Sequence, residues 1–258
     1  MLKSKNKKII QYFVSIILLI IFFYFFNYNN TYKGFDNNIS KFPKVIYFCN
    51  KTLDKMDIMA KKWKDLNPDY EIVLYDNAMC EKFLLDNYGQ LYKDIFDFLK
   101  DGPIKADFWR ICILYKYGGV YSDIDNVPLI PLADFIDDNV DFVTCSSYVH
   151  LYFNPNFIVS TKNNVILKDV IDWYINNYNN RKKYDYWDWS IQTAFTDTIH
   201  INSYDGYKEG LYSYKNMKIQ IIEENPGKNH LDAHNIYKGK RIFNNRNELW
   251  DATAHKFK

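Results

Sequence analysis

The sequence predicts an α/β fold in which helices wrap a mixed or parallel sheet. Three observations carry that expectation. KVIYFC (44–49) and YEIVLYD (70–76) are β-branched and aromatic runs of strand length. DKMDIMAKKWKDL (54–66) lies between them and spaces Met56, Met59, Ala60 and Trp63 along one helical face, with Asn67-Pro68 as its stop. Two more helical stretches, 77–88 and 90–99, follow the second strand, and a strand-helix-strand-helix order is the signature of helices layered on a sheet.

Asp101-Gly102-Pro103 is turn chemistry that leads into IKADFWRICILYKY (104–117), apolar on most sides and therefore a buried helix. Gly118-Gly119 ends it, VYSDID (120–125) reads as a strand stopping in polar residues, and Asn126-Val127-Pro128 turns the chain away. DFVTCS (141–146), NFIVST (156–161) and KIQIIEE (218–224) read as strands, and NVILKDVIDWYINNY (164–178) as an amphipathic helix. Residues 179–216, dense in Tyr, Trp, Asp and Asn, give no periodic signal, and no repeat or second-domain linker interrupts the chain.

Composition narrows the class. Of 258 residues, 48% are hydrophobic and 19% aromatic, with only 9 Gly and 7 Pro, which excludes a disordered or collagen-like chain and predicts one sizeable globular domain. The net charge of +2 is set by Lys3, Lys5, Lys7 and Lys8; the rest of the chain is close to neutral, so the basic field that nucleic acid binding needs is missing. Cys49, Cys80, Cys112 and Cys145 are scattered singly, without the spacing of a zinc site, and are expected to be buried thiols.

IIQYFVSIILLIIFFYFF (9–26) is apolar over about the thickness of a bilayer core. Its length, and the absence of a small-x-small cleavage site after it, favour a membrane anchor over a signal peptide. The preceding lysines keep residues 1–8 cytoplasmic by the positive-inside tendency, leaving 27–41 as a stalk and 42–258 as the domain on the far side. Sequons at Asn29, Asn38 and Asn50 suit that address.

Asp123 and Asp125 alternate around Ile124, so a strand pleat would point both carboxylates to one face. Paired hard-oxygen donors suit Mn²⁺ or Mg²⁺, with a diphosphate completing the shell; solvated strand-end acids are the bland alternative. Asp107 and Arg110 lie i,i+3 on an otherwise apolar helix, where they can pair and must be satisfied or line a cavity. Gly118-Gly119 permits close backbone approach beside the acid-bearing strand.

KADFWRICILYKYGGVYSDIDNVPLIPL (105–132) resembles the DXD region of glycosyltransferase family 32, which includes yeast-type Golgi mannosyltransferases and inositol-phosphoceramide mannosyltransferases. FPKVIYFCNKT (42–52) and NPDYEIVLYD (67–76) resemble that family's first two strands. The resemblance implies a GT-A-type fold and a retaining hexosyltransferase. It implies a nucleotide-sugar donor (GDP-mannose or a UDP-sugar), a glycan or glycolipid acceptor, and a Golgi or equivalent secretory membrane. Asp107 and Arg110 would hold the donor sugar's hydroxyls, with Gly118 and Gly119 in the same substrate-binding segment, and Tyr121 would pack near the nucleotide. Asp123 and Asp125 would be the catalytic pair, Asp123 touching ribose or sugar and helping to place the metal, Asp125 ligating it directly. Of His230 and His234 in the C-terminal NHLDAHNIYKGK (229–240), His234 is the favoured further ligand.

One departure is clear: Tyr47, Phe48, Cys49 and Asn50 stand where the family has a His-Gln-x-Trp run. Two other functions compete. One is a catalytically inactive, membrane-tethered carbohydrate-binding or scaffold protein. The other is an aspartate-nucleophile phosphohydrolase, disfavoured because Val127 occupies the place of its required hydroxyl residue. Tyr186, Trp187, Asp188 and Trp189 suit an acceptor wall and core packing equally well.

Overall fold

The computed structural model describes residues 41–201, 206–228, 232–245, 250–251 and 256–257. The expected tail, anchor and nearly all of the stalk lie outside the described residues, as does His230. Among the described residues no helix is long and apolar enough to cross a membrane.

The chain runs β1 (Val45–Cys49), α1 (Met56–Leu66), β2 (Glu71–Tyr75), α2 (Asn77–Tyr88), α3 (Gln90–Phe98), α4 (Gly102–Tyr117), β3 (Gly119–Ser122), β4 (Val127–Pro128), β5 (Phe142–Ser146) and β6 (Phe153–Ser160). It continues through α5 (Val165–Asn179), α6 (Ile191–Thr198), β7 (Gly210–Tyr214), β8 (Met217–Asn225), β9 (His234–Tyr237) and β10 (Lys240–Asn244). Local chemistry sets several boundaries. The Asp76 carboxylate accepts from the Met79 N–H to start α2, and Asn164 and Ser190 do the same for α5 and α6. Pro103 occupies the first turn of α4, where its missing N–H costs nothing.

The strands form one mixed sheet in the order β2-β1-β3-β6-β5-β8-β9-β10-β4, with β7 beside β8. β1 is parallel to β2 and β3, and β5 to β8; the remaining pairs are antiparallel. The C-terminal ends of β1, β2, β3, β5 and β8 therefore share one end of the sheet, where open α/β sheets bind ligands. One face carries the larger core under α4 and α5, including Phe108, Trp109 and Tyr174. The other packs Trp63 of α1 among Phe48, Phe157 and Phe243.

β3 and β4 are joined by only Asp123–Asn126, yet six strand spacings separate them in the sheet order. A flat sheet would set them ~29 Å apart. The connection reaches at most ~18 Å fully extended. The sheet must therefore curl, and the acid-bearing turn is the clasp that brings its far edge back beside β3.

The structure corrects the expected strand over 120–125. β3 ends at Ser122, and Asp123–Asn126 is a turn closed by the Asn126 N–H donating to the Asp123 carbonyl (3.1 Å). Asn126 is the reason: its side-chain amide donates to Ser122 Oγ (3.1 Å) and to the Asn156 carbonyl (3.0 Å), while its own carbonyl accepts from Trp63 Nε1 (3.1 Å). Side-chain burial still alternates as expected, with Ile124 buried and both aspartates partly open.

Gly118 and Gly119 have φ of 70° and 103°. A Cβ on Gly118 would meet Lys162 N at 2.8 Å, and one on Gly119 would meet the Val45 carbonyl at 2.9 Å. The close approach expected at this pair is thus made to the protein's own backbone, at the opposite end of β3 from Asp123.

Candidate active site

α4 and β3 build the centre of the site. Arg110 is 5% exposed and Asp107 6%, and both project from α4 toward the strand end. Arg110 Nη2 bridges Asp107 Oδ1 (2.9 Å) and Asp123 Oδ1 (3.1 Å), while Nη1 donates to the Pro155 carbonyl (2.7 Å). The guanidinium lies 4.3 Å above the Tyr121 ring centroid, a cation-π contact in a desolvated place. The Tyr121 hydroxyl donates to Asp123 Oδ1 at 2.8 Å. The second Asp107 oxygen accepts from the Ile191 N–H at the start of α6 (3.0 Å).

Asp123 is thereby fixed through one oxygen only. Its Oδ2 takes no hydrogen bond or ion pair from the described residues, and its side chain is 31% exposed, so a ligand can reach it. Tyr121, by contrast, is buried, and it influences this mouth from beneath, through Asp123.

Burial works against the charge on Arg110, but Asp123, Tyr121 and Asp107 around it outweigh that and hold its pKa above the usual arginine range. Burial also pushes the Tyr121 phenol well up, which keeps it a donor. For Asp107 burial wins over the pull of Arg110 and the Ile191 N–H, and its carboxyl is pushed up to about 6. Between the ordinary value of 3.8 and about 6, the folded protein holds a proton that the unfolded chain has released. Asp107's contribution to stability is therefore complete below the ordinary value and lost as pH rises through about 6. Urea titrations of the wild type and Asp107→Asn across pH 4 to 8 should show the difference between them changing in that window. A flat difference would place the titration elsewhere.

Asp125 sits partly open in the turn, one residue past the buried Ile124. His234 opens β9, and its Nδ1 lies 2.7 Å from the Asp232 carbonyl. A carbonyl only accepts, so Nδ1 is the donor here and Nε2 is the ring nitrogen left for another contact. The register row Val127, Asn244, His234 places this histidine two strands from the start of β4. Even so, among the described residues no group of three or more His, Cys, Asp or Glu side chains is arranged to hold a metal. Asp123 and Asp125, both partly open in this turn, are hard-oxygen donors of the kind that suits Mg²⁺-like ions, which keep water and take substrate phosphates as further ligands.

Cys49, Cys80, Cys112 and Cys145 are all buried free thiols, as expected. Tyr47, Phe48 and Cys49 are buried in the cores, so β1 presents no exposed ring at this end of the sheet. Sequence reasoning missed the Ile191 N–H and the Pro155 carbonyl. Both are main-chain groups whose identity leaves no mark in the sequence.

A buried arginine paired to two carboxylates, one of which keeps an open oxygen, thus stands at the C-terminal end of β3, at the end of the sheet where open α/β domains bind ligands. Residues 54–143, about a third of the chain, match the glycosyltransferase sugar-binding region containing the DXD motif. An initiation-specific α-1,6-mannosyltransferase of Candida albicans is 27% identical over 133 residues, which are 51% of this chain and 31% of that protein. Inositol phosphoceramide mannosyltransferase 2 of Schizosaccharomyces pombe is 35% identical over 91 residues, 33% of this chain and 25% of that one. The chain thus matches under a third of the length of either relative. Among solved structures, PaToxG glycosyltransferase aligns with a TM-score of 0.49 at 18% identity, covering 61% of this chain and 68% of that one.

Proposed function

We propose that this protein is a metal-dependent, retaining hexosyltransferase of GT-A type that moves a sugar from a nucleotide-sugar donor to a glycan or glycolipid acceptor. The single observation that carries the proposal is the buried Arg110 ion-paired to both Asp107 and Asp123, with Asp123 Oδ2 left open at the mouth. Nothing in a purely structural ion-pair cluster requires one carboxylate oxygen to stay accessible. The two mannosyltransferase relatives make GDP-mannose the first donor to test, beside UDP-sugars.

In this proposal Asp125 and Asp123 hold Mn²⁺ or Mg²⁺. When bound, that ion neutralises charge on the leaving diphosphate. The chain's own residues supply position and field. Arg110 stays cationic and orients Asp123, and Tyr121 holds the same oxygen so that Oδ2 alone faces the ligand. Asp107 has both oxygens engaged, by Arg110 and by the Ile191 N–H, and so makes a poor covalent nucleophile. That supports front-face displacement, in which the acceptor enters on the side the diphosphate leaves. His234 Nε2 is the proposed further contact to metal or diphosphate. The apolar run 9–26 behind four lysines supports a single-pass type II protein of the Golgi or an equivalent secretory membrane, with its domain lumenal.

The buried β1 residues favour one second reading, a sugar-binding protein that no longer turns donor over. A donor screen of the full chain with Mn²⁺ separates the two. Release of nucleoside diphosphate from at least one nucleotide sugar, abolished by chelation, is expected. Donor binding without release across the panel would select the silent binder.

A further inference from the structure

The aromatic stretch beside the site is divided by the fold. Trp189 is 0% exposed: its indole donates to the Lys183 carbonyl (2.9 Å), its carbonyl accepts from Tyr174 (3.0 Å), and Phe98 packs at 5.0 Å. It belongs to the core. Trp187, two residues earlier, is 63% exposed, an unusual place for a large apolar ring.

That exposure does not come from a loose segment. Asp185 Oδ1 accepts from the Trp187 N–H (3.0 Å) and the Asp188 N–H (3.2 Å). The Trp187 carbonyl is taken by Ser190 Oγ and Thr193 Oγ1, both at 2.8 Å. Tyr186 braces the indole edge, with centroids 5.1 Å apart at 77°. Neither the Trp187 indole N–H nor the Tyr186 hydroxyl has a hydrogen-bond partner among the described residues.

The position is as telling as the exposure. The turn runs straight into α6, whose first N–H holds Asp107, and Gln192 reaches Asn154 (3.4 Å) at the start of β6, beside the carbonyl that holds Arg110. Burial, with the negative charge of Asp107 behind it, raises the pKa of the Tyr186 phenol and keeps it a hydrogen-bond donor. A rigid, outward-facing indole with an open N–H and a phenol beside it matches the surface of a pyranose, which has an apolar C–H face and a hydroxyl rim.

We propose that Trp187 and Tyr186 form the acceptor-side subsite, in which a hexopyranose ring stacks on the Trp187 indole while its rim hydroxyls meet the indole N–H and the Tyr186 hydroxyl. This rests on the transferase reading above and specifies what that site takes from its acceptor side: a sugar ring rather than a lipid surface.

The test is saturation-transfer NMR and calorimetry on the full chain, titrated with methyl α-D-mannopyranoside and its gluco, galacto and N-acetylglucosamine counterparts, in the absence of nucleotide. At least one hexoside should bind. Trp187→Ala should weaken it about tenfold, whereas Trp187→Phe, which keeps an aromatic face, should stay within about threefold. Leu211→Ala, at an equally exposed apolar residue on edge strand β7, should bind as the wild type does, and circular dichroism reports whether each variant is folded. Equal hexoside binding by wild type and Trp187→Ala overturns the inference, as does no binding by any hexoside. Fluorescence quenching by brominated phosphatidylcholine vesicles that Trp187→Ala removes, without a hexoside response, overturns it in favour of a bilayer contact. Failure of the transferase reading shows differently, as no diphosphate release from any donor.

Discussion

Arg110→Met should lower the folding free energy of the domain by about 3–5 kcal/mol, because it leaves the buried Asp107 carboxylate and Asp123 without their shared cation. Methionine fills much of the same volume, so the loss is electrostatic rather than a cavity effect. The Pro155 carbonyl also loses its donor, and the Tyr121 ring its cation. Arg110→Lys should recover only part of the stability, since an ammonium cannot reproduce a planar fork that serves two carboxylates and a carbonyl while stacking on a ring. Urea denaturation at pH 7 reads both variants. A shift of under 1 kcal/mol for Arg110→Met would mean that the cluster is not charged in the folded protein.

Asp125→Asn should have the opposite profile, removing activity and sparing the fold. The side chain is partly open in the Asp123–Asn126 turn, and that turn is held by Asn126 and by Ser122, Asn156 and Trp63. Amide for carboxylate deletes the anionic donor proposed to hold the divalent ion, and a loss of about 10³ in diphosphate release at saturating Mn²⁺ is expected, with the urea midpoint nearly unchanged. Unaltered turnover would remove Asp125 from the metal site and with it the proposed chemistry.

The parts of this site that lie close in sequence were legible there. The i,i+3 spacing of Asp107 and Arg110 on an apolar helix gave their pairing, which the structure bears out at 2.9 Å. The reach of Arg110 across to Asp123 was not readable, because it depends on how α4 packs against β3. The strand expected over 120–125 failed for a local reason with a distant cause: Asn126 closes the turn only because Asn156 and Trp63 stand ready to bond it. β9 and β10 were invisible because HNIY and KRIFN alternate only weakly and draw their stability from their neighbours in the sheet. In YWDW, two tryptophans of identical local propensity end in opposite environments, and only the tertiary packing of Phe98 and Tyr174 separates them.

The curled sheet has a consequence for how the protein is made. β4 pairs with β10, whose residues leave the ribosome more than a hundred positions after Pro128. The segment encoding both candidate metal-binding acids is therefore translated early but has no edge to dock on until the β9–β10 hairpin arrives, and so long a loop closes slowly. The acid-bearing turn therefore waits on β9 and β10, and a nascent product that stops short of them would hold this turn without the strand that locks it in register.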